Sequence, residues 1–124
     1  MSLRINYTTG TIELYQGDSG SVFVNGLLPE KKYRVYFAVQ DKNRNFIGEQ
    51  LEELAENVSF VEFKLLKSYT LKLEVPKNKS SETYYYGVKV EEIGTNNVDT
   101  LFIANGDYGD LNELIVYPKK VKGS

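Results

Sequence analysis

With neither histidine nor cysteine in its 124 residues, the chain leaves carboxylates and tyrosines as its acid/base candidates. Ser-His-Asp and Cys-His nucleophilic systems, zinc sites of ordinary make-up, imidazole switches and disulfides are all excluded by residue type. Two groups of carboxylates remain. Residues 105–113 (NGDYGDLNE) offer Asp107, Asp110, Asn112 and Glu113 as hard oxygen ligands around Gly106 and Gly109. Calcium takes six to eight such oxygens, but the spacing departs from the EF-hand loop, since no glutamate stands at its last position. Asn-Gly and Gly-Asp are ordinary turn dipeptides, so a plain loop is expected, with no metal. Glu49, Glu52, Glu53 and Glu56 crowd one short stretch. Acid/base work needs two carboxylates facing across a cleft with divergent pKa values, and a solvated acidic face accounts for these four more simply. No catalytic residue, cofactor or enzymatic activity is expected.

Ten tyrosines stand against no tryptophan. Tyr36 and Tyr85 fall on the polar parity of their segments, which predicts that both rings lie on outer sheet faces. Tyrosine joins apolar area to a polar tip at low entropy cost, so such rings suit a protein interface or a sugar platform. Tyr36 and Tyr85 are therefore the candidate interface residues.

The elements that would carry these residues are strands. Residues 32–40 (KYRVYFAVQ) alternate Tyr33, Val35, Phe37 and Val39 with Arg34, Tyr36, Ala38 and Gln40, and side chains on a strand point to opposite faces with period two. Residues 83–93 (TYYYGVKVEEI) do the same through Tyr84, Tyr86, Val88 and Val90. Residues 69–76 (YTLKLEVP) share the alternation through Tyr69, Leu71, Leu73 and Val75, and are expected to be a strand placed next before it. Residues 11–15, 21–25, 98–104 and 113–117 are further short strands between turn-rich links. Two stretches leave alternatives open. Over residues 48–57 (GEQLEELAEN), Leu51, Leu54 and Ala55 fit either a short helix near residues 49–56 or a strand over 49–54. In residues 58–66 (VSFVEFKLL) the apolar phase slips between Val58/Phe60 and Val61/Phe63/Leu65, as a β-bulge or burial on both faces would require. Short strands at this spacing predict an all-β fold, an antiparallel β-sandwich, as a single domain over 1–124 with an ordered core of about 11–118.

Fifteen Lys and Arg against seventeen Asp and Glu give a formal net charge of −2, without the basic excess that phosphate binding asks for. Lys119, Lys120 and Lys122 read as a solvated tail. No apolar run approaches the ~18 residues of a membrane span, and no signal peptide is visible. Nucleic acid and membrane are therefore not expected partners.

Two resemblances add to this reading. Residues 81–86 (SETYYY) resemble the E–F corner of immunoglobulin-like sandwiches, where a tyrosine opens strand F two residues before the position held by a cysteine in antibody domains. The likeness makes Tyr84 the corner tyrosine and sets Tyr86 in the cysteine's inward place. Over nearly the whole length, residues 14–19 (LYQGDS), 35–41 (VYFAVQD), 71–75 (LKLEV), 84–90 (YYYGVKV), 100–102 (TLF) and 114–116 (LIV) follow the motif order of a phage family. It comprises small β-sandwich proteins of tailed phages and prophages, including N-terminal domains of baseplate upper proteins. In that family the last strand passes through a single glycine, whereas residues 105–112 interrupt it here. The resemblance implies a non-enzymatic virion protein, a tail, baseplate or neck adaptor. Such a protein is assembled in the host bacterial cytoplasm, docks to other virion proteins and is commonly a homo-oligomer. The competing reading is a carbohydrate-binding module or surface adhesin domain using exposed tyrosines.

Overall fold

The computed structural model describes residues 3–6, 9–101 and 112–120. It is an all-β fold in two sheets. The strands are β1 (Leu3–Ile5), β2 (Ile12–Tyr15), β3 (Gly20–Asn25), β4 (Lys32–Gln40), β5 (Phe46–Glu56), β6 (Phe60–Leu65), β7 (Glu82–Glu92), β8 (Val98–Leu101) and β9 (Asn112–Tyr117), with one helical turn, α1 (Lys67–Thr70), between β6 and β7. The large sheet runs β1-β2-β9-β7-β4-β5, with β8 also on β7, and β3 pairs with β6 in a second sheet. Among the described residues no helix is long and apolar enough to cross a membrane.

β4 and β7 form where alternation is cleanest, and they pair with each other from Tyr33↔Glu92 to Gln40↔Tyr85. Val35, Phe37, Val39, Tyr84, Tyr86, Val88 and Val90 are buried on their shared inner face. The two-stranded sheet lays Val22, Val24, Val61, Phe63 and Leu65 against that face in one core. The Phe37 ring lies 5.7 Å from Phe63 across the sheets and 5.5 Å from Tyr86 beside it.

Not every pairing is antiparallel as expected, because β2 runs parallel to β9. Strands so distant in sequence are not joined by a hairpin, which would force antiparallel order. β1 lies outside the expected ordered core yet pairs with β2. A Cβ at Gly20 would overlap that of Leu3, so β1 also closes on β3, and only glycine permits the approach.

One open alternative is settled and two expectations need correction. Residues 49–56 are not a short helix but belong to a strand, as the alternative over 49–54 had it, and β5 pairs with β4 from Gln40↔Phe46 to Lys32↔Glu56. Leu51 and Ala55 face inward while Leu54 is exposed, so the i, i+3, i+4 spacing is a coincidence of composition. The ladder steps from Phe37↔Leu51 to Val39↔Ile47, an irregularity that holds Gly48 at φ 73° against the Tyr69 ring. Secondly, residues 69–76 are not a strand. Backbone bonds Thr70 N to Leu66 O and Leu71 N to Lys67 O wind the segment into α1. Tyr69, Thr70 and Leu73 are buried in place of an alternating set. Gln16 Nε2 donates to Leu71 O at 2.9 Å and Thr70 Oγ1 to Asp18 O at 2.7 Å. These bonds tie the helical turn to the β2–β3 turn, so tertiary partners override the strand-like pattern. Thirdly, β6 has neither a bulge nor two buried faces. Its register with β3 is unbroken from Gly20↔Leu65 to Asn25↔Phe60, and Phe60 is exposed.

β8 and β9 both run antiparallel to β7, along Glu91–Val88 and Tyr86–Glu82 in turn. Both therefore lie on the same strand, β8 toward its C-terminal end and β9 toward its N-terminal end.

Candidate functional site

The register places Tyr36 and Tyr85 on the same outer face of the large sheet, since Tyr36 stands opposite Lys89 and Tyr85 opposite Gln40. It does not bring them together. Four residue steps along the ladder separate them, about 14 Å at the usual rise per residue. The step between is floored by Ala38 and Gly87, with nothing within 4 Å of where a Gly87 side chain would begin. Both rings are half-buried. Lys89 Nζ lies 5.0 Å from the Tyr36 ring centroid, covering it with a cation–π contact. Tyr85 is flanked by Gln40 and Glu113. The expectation of bare rings is thus softened by their own sheet neighbours.

Tyr84 and Tyr86 turn inward. The Tyr84 hydroxyl donates to Glu74 O at 2.7 Å, and the Tyr86 hydroxyl donates to Gly10 O. Each phenol joins β7 to a residue that lies outside every strand. Burial, with Glu82 and Glu74 nearby, raises the Tyr84 phenol pKa. Tyr84→Phe keeps the ring and deletes the bond, and is expected to cost about 1 kcal/mol. A urea midpoint equal to that of the parent would contradict this. Tyr69 differs from both: its buried hydroxyl has no hydrogen-bond partner among the described residues, and burial pushes its pKa up to about 12.

A hollow of about 380 Å³ lies at one end of the core, lined by Lys31, Tyr33, Val90, Glu92, Asn96, Asn97 and Val98. Glu92 organises it. Its carboxylate pairs with Lys31 Nζ and accepts from Asn97 Nδ2 and Thr95 Oγ1, each at 2.9 Å. These donors, Lys31 foremost, hold Glu92 at a pKa of about 2 against an ordinary 4.5. A carboxylate with its pKa lowered by folding stabilises the fold above its unfolded pKa, and that contribution fades as pH falls toward the folded value. Glu92→Gln should therefore lower the urea midpoint at pH 7, and the gap to the parent should close between about pH 4.5 and 2. A gap independent of pH would show that shape, not charge, holds the turn.

The acidic residues 49, 52, 53 and 56 are all exposed on β5. Arg34 Nε lies 3.6 Å from Glu52 and Lys32 Nζ 3.2 Å from Glu56, both pairs between β4 and β5. None of these four carboxylates lines a hollow described among these residues. The candidate calcium loop, residues 105–113, lies outside the described residues up to residue 111. Asn112 and Glu113 open β9, with Asn112 buried and Glu113 exposed.

Sequence reasoning missed the outer face of the small sheet. Phe23 and Phe60 stand there as exposed neighbours, ring centroids 6.1 Å apart and 37% and 47% accessible. A hydrogen bond of 2.5 Å from Ser21 to Glu62 lies beside them. Leu28 and Val58, also exposed, flank the backbone bond from Leu27 N to Ser59 O at the same end of the sheet. The phase slip at Phe60 is the signal that the sequence carries for this face. No family model and no curated protein matches the chain.

Proposed function

We propose that this chain is a non-enzymatic structural protein of a phage or prophage virion, an adaptor of the tail, baseplate or neck that works by docking onto other virion proteins. The observation that carries the docking part is the Phe23–Phe60 pair, two large aromatic rings left exposed side by side on a sheet face. Single exposed apolar residues are common on any protein, but adjacent ones mark interaction surfaces. The virion setting rests on the whole-length resemblance to tailed-phage β-sandwich proteins. An immunoglobulin-like sandwich is part of the same reading. It is supported by β3 and β6 in one sheet, β4, β7 and β9 in the other, and Tyr84 at the opening of β7, bonded to a carbonyl ten residues earlier.

Particles purified from a strain carrying the gene should contain the chain by mass spectrometry. A folded F23S/F60S variant should be lost from them. Absence of the parent chain from particles would overturn the virion reading, and normal incorporation of the variant would overturn the surface.

The second reading, a carbohydrate-binding domain, has one observation in its favour. The hollow beside Tyr33 gathers Lys31, Asn96 and Asn97 around an aromatic ring. A glycan array separates the two, since a specific signal lost on Tyr33→Ala would favour the sugar.

A further inference from the structure

β5 closes one side of the large sheet. It pairs with β4 alone, and its other edge has no backbone partner among the described residues. At 11 residues it is about twice the usual strand. The stretch from Leu51 to Glu56 keeps a regular register with β4, so its outward N–H and C=O groups form an uninterrupted ladder, a template for one more strand. β6 packs near β5 but makes no backbone bond to it among the described residues. Val35 is fully buried while Glu53, directly opposite, is exposed.

The charge on this edge is one-sided. Residues 46–56 (FIGEQLEELAE) contain four glutamates and no lysine or arginine. Arg34 and Lys32 engage Glu52 and Glu56 from inside the sheet, and Glu49 and Glu53 have no ion-pair partner among the described residues. That pattern decides between two occupants. A second copy paired antiparallel about a twofold on Leu51 sets Glu49 opposite Glu53. A twofold on Glu52 or on Glu53 sets that residue opposite itself. Like charges directly opposite destabilise a strand pair, so the registers centred on residues 51 to 53 disfavour a second copy, and the edge is complementary to a basic strand.

We propose that residues 50–56 receive an extended, lysine- or arginine-bearing segment of a partner protein, added as a further strand beside β5. Ladder bonds give such a complex its hold and alternate side chains its choice of sequence. A basic residue would lie opposite Glu53 and an apolar one opposite the exposed Leu54. The proposal rests on the docking reading only in taking the partner to be a protein.

The test uses the full chain and two labelled nine-residue peptides, one alternating lysine with valine, the other glutamate with valine. Fluorescence anisotropy should show the lysine peptide binding at least tenfold tighter. Its binding should weaken at high salt and fall severalfold in the Glu53→Lys variant. Hydrogen exchange on the parent protein, which needs no variant, should show amides within residues 50–56 slowed by the lysine peptide. Equal binding of both peptides, or slowed exchange confined to other strands, would overturn the proposal. If it fails while F23S/F60S still abolishes incorporation into particles, the edge is wrong and docking stands. If both fail, the docking reading falls with it.

Discussion

Phe37→Ala is expected to lower the free energy of unfolding by about 3–5 kcal/mol, the usual range for emptying a buried phenylalanine site. The upper part of that range is expected here because the ring joins three strands. It stands on β4, stacks on Tyr86 of β7 and meets Phe63 of β6 across the core, and it has no accessible surface. The small sheet has only two strands, so little backbone can collapse into the space without breaking the β3–β6 ladder. Phe46→Ala is the control, since Phe46 is 66% exposed and surface truncations usually stay within about 0.5 kcal/mol. Urea unfolding with an unchanged slope would measure both. A Phe37→Ala loss below about 1 kcal/mol would mean that the two sheets do not share this contact.

β4 and β7 were legible in the sequence because each divides its residues cleanly between core and water, and an apolar period of two sustained along a whole segment suits a half-buried strand and little else. Residues 69–76 show the same alternation and are not a strand. Their buried set is Tyr69, Thr70 and Leu73, and Thr70, a polar type, is the member that reveals the helical phase. Its burial is balanced by the carbonyl of Asp18, which no local pattern could announce. One helical turn is also too short for periodicity to assert itself. β5 was ambiguous for the opposite reason. An edge strand with both faces partly in water loses the alternation that marks a half-buried one, leaving Leu51, Leu54 and Ala55 to imitate a helix.

The candidate sites divide in the same way. Parity put Tyr36 and Tyr85 on outer sheet faces, and it is the β4–β7 register that makes the face a shared one. Their partial cover by Lys89, Gln40 and Glu113 depends on which strands become neighbours, and strand order is not a local property. Phe23 and Phe60 belong to segments far apart in sequence and meet only through the β3–β6 pairing. The hollow at Glu92 joins the β7–β8 turn to the loop before β4, and is invisible until both are placed.

Leu73→Ala set against Leu71→Ala reads the geometry of the segment after β6 directly. On an alternating strand the two leucines would share one face, and their truncations would cost similar amounts. In the helical turn they separate. Leu73 has no accessible surface, whereas Leu71 is half-buried beside the β2–β3 turn. Leu73→Ala should cost about 2–5 kcal/mol, as fully buried leucines do, and Leu71→Ala about 1 kcal/mol, in keeping with a surface already partly wet. The difference also bears on how the chain crosses from β6 in one sheet to β7 in the other. Leu73, Tyr69 and Thr70 anchor that crossing in the core, so Leu73→Ala should speed hydrogen exchange at the amides of Leu71 and Leu73, whose bonds to Lys67 O and Thr70 O hold the turn. Equal costs for the two leucines, with those amides unchanged, would return the segment to the extended form that its alternation suggests.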